Sequence, residues 1–392
     1  MRKYYYTLML ALLGCGESRR ETATQQPQSA PEVPARPTAP PRPATGYAAR
    51  PYIPLGQGID SLNGAPVARI AGENYRVVVE ARPDLTRPLL WSRGYADSLA
   101  QADPDWAKSI RESGYGFDAT YTFKLLDARG RARFTTTLRK MDFAEVVAKE
   151  LLMEAVLDTP VFYGYLPKFN ALAYRSRFTA EGTDWSMETL LLLDAGTGRV
   201  RYLLPDKPSE DLHESNMLTP DGEVLITRQR LIHASGRQLA LQRPDQRIAA
   251  TQLISSNVVL VVYEPDFNDK GRRKPGEKLN ARLLDLSGRE LDRFAFRGTA
   301  TDYLEGLALN HCYAPQLGSH YLFDDSNRTL RIIPARQPTA SRLLSLESLP
   351  KYALPTRAAE VRLEIRTGLG EQLVLFADTV SGELRAQPVR QL

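Results

Sequence analysis

LLLLDAGTGRVRYLLPDKPSEDLHESNMLTPDGEVLITRQRLIHASGRQLAL, residues 190–241, is the stretch whose reading decides the fold. Met187 to Asp194 and Val200 to Leu204 are apolar runs on either side of Ala195-Gly196-Thr197-Gly198. Aspartate and glycine suit tight turns, the first by bonding its own backbone and the second by reaching positive φ, so the two runs read as a β-hairpin. Val224 to Thr227 follows the turn Thr219-Pro220-Asp221-Gly222, and Leu231 to Leu241 folds over Ala234-Ser235-Gly236. No long helical period interrupts them.

The phrase of apolar strand, Asp or a substitute, short turn, Gly, charged residue and strand recurs along the chain. It stands at Leu193-Asp194 to Gly198-Arg199, Ile232-His233 to Gly236-Arg237, Leu284-Asp285 to Gly288-Arg289 and Ala377-Asp378 to Gly382-Glu383. A glycine-free echo lies at Phe323-Asp324 to Asn327-Arg328. Positions 198, 236, 288, 327 and 382 are separated by 38, 52, 39 and 55 residues, close to the ~40 to 50 residues of a four-stranded blade. With its Pro220-Asp221-Gly222 turn before a strand, 190–241 resembles a blade of the WD40-like, TolB-type β-propellers. The resemblance covers about 50 of 392 residues and implies a mainly β, propeller-like repeat domain over 159–392. The alternative is a β-sandwich whose hairpins use Asp and Gly for the same turns. Val258 to Tyr263 is an unbroken apolar run, as expected of a strand buried on both faces.

Residues 58–158 read as a small α+β module. Tyr75 to Ala81 is a strand, and Thr120 to Leu126 pairs with Arg131 to Leu138 across Asp127-Ala128-Arg129-Gly130. Asp103-Pro104 opens a short helix with Trp106 and Ile110 on its inner face. Asp142 caps a second helix with Glu145 three residues on, and Phe143, Val146, Val147 and Leu151 form its buried face.

At the N-terminus, Met1-Arg2-Lys3 is a cationic start and Tyr4 to Leu13 an apolar core of the length found in signal peptides. It is too short to span a bilayer. Leu12-Leu13-Gly14-Cys15 is similar to the lipobox of bacterial lipoproteins, which implies a signal peptide over 1–14 and lipidation of Cys15, palmitate among the acyl groups. Gly16, not aspartate, follows the cysteine, which in that resemblance favours the outer membrane; Arg19 and Arg20 break an acidic run, which favours the periplasmic face over the cell surface. The stretch 15–57 is rich in Pro, Ala, Thr, Gln and Arg without apolar periodicity, the composition of a disordered tether. About 40 residues of polyproline II would reach on the order of 120 Å.

The chain has 51 basic and 46 acidic residues, net +5; without Arg2 and Lys3 the balance is 49 to 46, or +3. So small an excess predicts no nucleic-acid partner. Once Cys15 is lipidated, Cys312 is the one remaining thiol, so no intrachain disulfide is expected. No G-x-S-x-G, H-E-x-x-H, Walker loop or C-x-x-C is present, and no cofactor is implied. His311, Cys312 and His320 carry zinc-ligand chemistry but read as structural. Asp266, Asn268, Asp269 and Glu277 follow part of a calcium-loop spacing, with lysine at its fifth position, and read as a solvated hairpin loop. Paired carboxylates such as Asp324 with Asp325, or Glu188 with Asp194, need the fold to bring them together. These features point to a non-catalytic binding or scaffold module anchored by its lipid to the envelope, with an envelope protein or glycan as partner. The alternative is a propeller-type hydrolase, lactonase or lyase acting on sugar or cell-wall fragments.

Overall fold

Neighbouring apolar residues along one strand can all be buried only where both faces of the sheet are covered, and most of this chain is built that way. The computed structural model describes residues 52–56, 59–62, 64–90, 115–183, 185–206, 216–266, 274, 276–301, 306–353, 359–366, 371–387 and 390–391. Tyr47–Leu392 forms one compact unit. The lipobox with Cys15, and the helix expected after Asp103, lie outside the described residues.

Before the first sheet comes a two-residue strand, β1 (Ile53–Pro54). The first sheet orders β2 (Ser61–Leu62), β3 (Ala65–Ile70), β4 (Glu73–Leu90), β5 (Tyr115–Leu126) and β6 (Ala132–Arg139). After the short helix α1 (Lys149–Glu154) comes the second sheet: β7 (Val161–Leu166), β8 (Ala171–Thr179), β9 (Ser186–Asp194) and β10 (Val200–Asp206). The third has β11 (Met217–Leu218), β12 (Val224–Ile226), β13 (Arg230–His233) and β14 (Gln238–Ala240), with β1 on the free edge of β11. The fourth has β15 (Gln246–Ser255), β16 (Val258–Pro265), β17 (Ala281–Asp285) and β18 (Glu290–Phe294). A hairpin of β19 (Thr299–Thr301) and β20 (Gly306–Ala308) leads to the fifth: β21 (Asn310–Ala314), β22 (Ser319–Asp324), β23 (Thr329–Pro334) and β24 (Arg342–Ser345). The sixth has β25 (Glu360–Arg366), β26 (Glu371–Asp378), β27 (Leu384–Ala386) and β28 (Arg390–Gln391). All pairings within these sheets are antiparallel.

Alternation along each strand assigns its residues to two cores. In β9, Leu191 and Leu193 enter a core shared with the first sheet, whereas Leu190 and Leu192 enter one shared with the third. In β16, Val259, Val261 and Tyr263 face the third sheet, and Val258, Leu260 and Val262 face the fifth. In β22, Leu322 faces the fourth sheet while Tyr321 and Phe323 face the sixth. Five cores thus join six sheets in chain order, and the second to fifth sheets carry a core on each face among the described residues. This is a mainly β, propeller-like succession of antiparallel sheets. A two-layer sandwich leaves each sheet one outer face, so that alternative does not hold. Between sheets, β3 lies by β7 and β21 lies by β25.

Two local expectations change. The residues spaced for a helix after Asp142 form a 3-10 turn over Lys140–Phe143, a further turn, and then α1. The Asp142 carboxylate accepts the Arg139 amide at 2.7 Å, so it reaches back over the turn instead of capping a helix ahead of it. Phe143, Val147 and Leu151 are nevertheless buried as their spacing predicts. The recurring Asp turn also shifts. It joins third to fourth strands at Asp194, His233 and Asp285, but second to third at Asp324 and Asp378.

Candidate functional site: the charged end of the second sheet

The face of the second sheet that meets the third is apolar at one end, through Leu166, Ala171, Ala173, Leu190, Leu192 and Leu204. At the other end the same rows continue as Tyr163, Arg175, Arg177, Glu188 and Asp206. The third sheet's strands are two to four residues long, too short to continue an apolar cover over that end.

Register concentrates the charge. Glu188 stands opposite Arg177 on one side and opposite Asp206 on the other. Two carboxylates directly opposite repel, so this arrangement needs compensation. Arg175 Nη1 lies 3.5 Å from Glu188 Oε2, and Asn216 Nδ2 donates to Asp206 Oδ2 at 2.6 Å. Glu188, Asp206 and Asn216 are buried. The Arg175 guanidinium also sits 5.0 Å from the Tyr163 ring centroid, a cation–π distance. Burial pushes the Tyr163 phenol up to about 12, against the pull of Arg175 and with added push from Glu188 and Asp206. On the opposite face of the sheet, the hydroxyls of the facing pair Ser176 and Thr189 are buried with no hydrogen-bond partner among the described residues. Chemically, the end offers two carboxylates, two guanidiniums, a neutral phenol and an amide, spread over neighbouring cross-strand rows and the residue before β11.

Tyr52–Gly56 walls this end. β1 pairs Ile53 with Leu218 and Pro54 with Met217. The Leu55 amide donates to the Asn216 carbonyl at 3.3 Å, and the Gly56 amide to the Tyr163 carbonyl at 3.0 Å. Gly56 has φ +80°, and a Cβ there would meet the Tyr163 ring at 3.2 Å, so glycine serves both the turn and the close approach.

The other residues singled out in the sequence fall elsewhere. Asp194 accepts Gly196 and Thr197 amides at 3.0 and 2.8 Å, and these bonds outweigh burial to hold its carboxyl below the usual range. It serves its own turn and does not meet Glu188. Asp324 is buried and accepts the Arg297 amide at 2.9 Å, whereas Asp325 pairs with Arg328 at 2.9 Å. Asn268 and Asp269 lie outside the described residues, Asp266 follows β16, and Glu277 is engaged by Arg282 and, at 3.8 Å, by Arg243. Among the described residues no group of three His, Cys, Asp or Glu side chains is placed to hold a metal.

His311 and His320 meet between the fourth and fifth sheets. His320 Nε2 lies 2.8 Å from the Ile254 carbonyl oxygen, and His320 Nδ1 lies 2.8 Å from His311 Nε2. A carbonyl oxygen can only accept, so Nε2 carries the His320 proton and Nδ1 accepts from His311. Burial pushes His320 down to about 4, with the Ile254 bond pulling weakly upward. Cys312 packs on the other face of β21, toward the sixth sheet, where burial pushes its thiol up to about 12. Strand alternation therefore separates the cysteine from the histidines.

No family model matches the sequence, and no curated protein matches it. Among solved structures, BamB from Moraxella catarrhalis is similar at 12% identity and TM-score 0.28, over 87% of this chain and 96% of that one. The dihydro-heme d1 dehydrogenase NirN matches at 13% identity and TM-score 0.31, over 70% and 55% of the two chains. The Swd1 β-propeller domain from Myceliophteria thermophila matches at 12% and 0.27, over 57% and 70%. At these scores the propeller-like reading stands on the chain's own sheet order and paired cores.

Proposed function

We propose that the protein is a lipid-anchored, non-catalytic binding module of the cell envelope, held by Cys15 and a Pro-rich tether on the periplasmic face of the outer membrane. The observation that carries this reading is the leader ending in Leu12-Leu13-Gly14-Cys15, followed by a long tether and a sheet stack. Three acyl chains exceed the two signals that stable anchoring takes. The charged end of the second sheet is the recognition surface: its buried carboxylates are held by Arg175 and Asn216, while Arg177 is exposed at the rim. A protein or glycan partner would meet a fixed array of donors and acceptors. Crosslinking in intact cells followed by capture of the full chain tests this. A specific adduct lost in Arg177→Glu is expected; no specific adduct, or one indifferent to that reversal, overturns the reading.

A second reading has one observation in its favour, the cross-strand pair of Glu188 and Asp206. Two carboxylates in unlike surroundings can divide acid and base roles. Under this reading the protein cleaves sugar or cell-wall fragments. Product release from such fragments by the wild type, abolished in both Glu188→Gln and Asp206→Asn, is its expected result; no release by the wild type sinks it.

A further inference from the structure

A hydroxyl taken out of water costs free energy unless another group bonds it, and three such hydroxyls sit in the core between the first and second sheets. Tyr174 Oη, Ser176 Oγ and Thr189 Oγ1 are buried with no hydrogen-bond partner among the described residues. The three residues are 0%, 2% and 0% exposed. Ser176 stands directly opposite Thr189, and Tyr174 lies two residues along β8 from Ser176, so strand alternation puts all three on one face. It is the face whose Tyr174, Phe178, Leu191 and Leu193 pack on the first sheet.

The surroundings leave the facing pair little else to bond. Their cross-strand row runs Ser176, Thr189, Pro205, and a proline side chain has no polar atom. On the other side β7 begins at Val161, opposite Arg175, one residue short of Ser176. Next to the pair on the same face stand Phe178 on β8, Met187 and Leu191 on β9 and Leu203 on β10, all part of the same apolar core. Facing hydroxyls in a sheet commonly bond each other, yet these two do not. Each has one proton to give and lone pairs to fill, so the pair calls for a small neutral group that both donates and accepts. An ion would lack a countercharge, because Arg175, Arg177 and Glu188 alternate onto the opposite face.

We propose that a water molecule is a resident ligand of this protein, bound between the Ser176 and Thr189 hydroxyls inside the core that joins the first two sheets. Folded proteins carry about one buried water per ~27 residues, each bonded to about three polar groups that would otherwise go unsatisfied, and Tyr174 is the third such group on this face. The site lies in the interior of the fold, and it stands whether or not the protein meets a partner or carries a lipid.

Oxygen-17 relaxation dispersion of the solvent counts long-lived internal waters without interference from exchanging hydroxyl protons. It is measured on the full-length wild type and on Ser176→Ala/Thr189→Val, which replaces both hydroxyls by apolar groups of similar shape. The expected result is a dispersion smaller in the double variant by the contribution of one water. Denaturant unfolding of the two single variants and the double is the second readout. Removing one hydroxyl leaves the water and the other hydroxyl short of a bond, so each single substitution should raise the unfolding constant about tenfold. The second substitution, made on top of the first, should add little. Hydroxyls that bond nothing would give the opposite sign, because an apolar replacement then relieves a desolvation penalty. An unchanged dispersion, or an unfolding constant that falls in either single variant, overturns the proposal. An unchanged dispersion with rising, coupled unfolding constants would show that the two hydroxyls bond each other directly, which overturns it as well.

Discussion

At the scale of single residues, His320 couples the fold to pH. Its Nε2–H is committed to the Ile254 carbonyl and its Nδ1 to His311, while the Tyr313 ring lies 4.5 Å from its own; a second proton would have to displace the bond from His311. Burial lowers its pKa from 6.5 to about 4, so between those values the unfolded chain binds more protons at this ring than the folded one. Stability then rises with pH across that window and is lost as pH falls through it, by on the order of 3 kcal/mol when complete. Urea unfolding of the wild type near pH 5 and near pH 8 should show about 2 kcal/mol of this difference, because pH 5 lies inside the window, and His320→Gln, which keeps a donor for Ile254, should flatten it. An unchanged slope in the variant would assign the acid sensitivity to other groups. His311, Cys312 and His320 were visible in the sequence as a cluster by spacing, but only strand alternation, 311 and 313 to one face and 312 to the other, reveals that two of the three meet.

At the scale of elements, hairpins were legible because Asp and Gly name their turns, and the unbroken run Val258 to Tyr263 announced a sheet covered on both sides. Element type was less legible where one apolar pattern suits two backbones. Phe143, Val147 and Leu151 share a buried side, yet the chain reaches it through a 3-10 turn and a six-residue helix. What holds α1 in place is contact with β5: a Cβ at Gly116 would sit 1.9 Å from the Met153 carbonyl oxygen. Gly116→Ala should therefore cost about 2 to 3 kcal/mol, whereas Thr135→Ala on the exposed face of β6 should stay within ~0.5 kcal/mol. Denaturant midpoints measure both; near-equal values would mean that α1 moves away at no cost. The charged end was hidden by a single bulge. Val200 opposes Leu193, but Tyr202 opposes Leu192, so one extra residue swings Asp206 onto the face of Glu188. Counting from the turn without it would place Pro205 there.

At the scale of the whole molecule, six sheets joined by five cores make each inner sheet dependent on both neighbours, and turn contacts tie their rims. The Thr136 hydroxyl donates to the Gly198 carbonyl at 2.7 Å between the first and second sheets, and His233 Nε2 lies 3.2 Å from the Leu286 carbonyl between the third and fourth. The proposed function rests on Cys15 carrying the anchor. The decisive measurement is metabolic labelling of cells expressing the full chain with an alkyne fatty acid, followed by membrane fractionation of the wild type and Cys15→Ala. The account predicts label on the wild type in the outer-membrane fraction, and neither label nor membrane association in the variant. An unlabelled wild type that leaves the membrane in salt, or a Cys15→Ala protein that keeps its label, would contradict it.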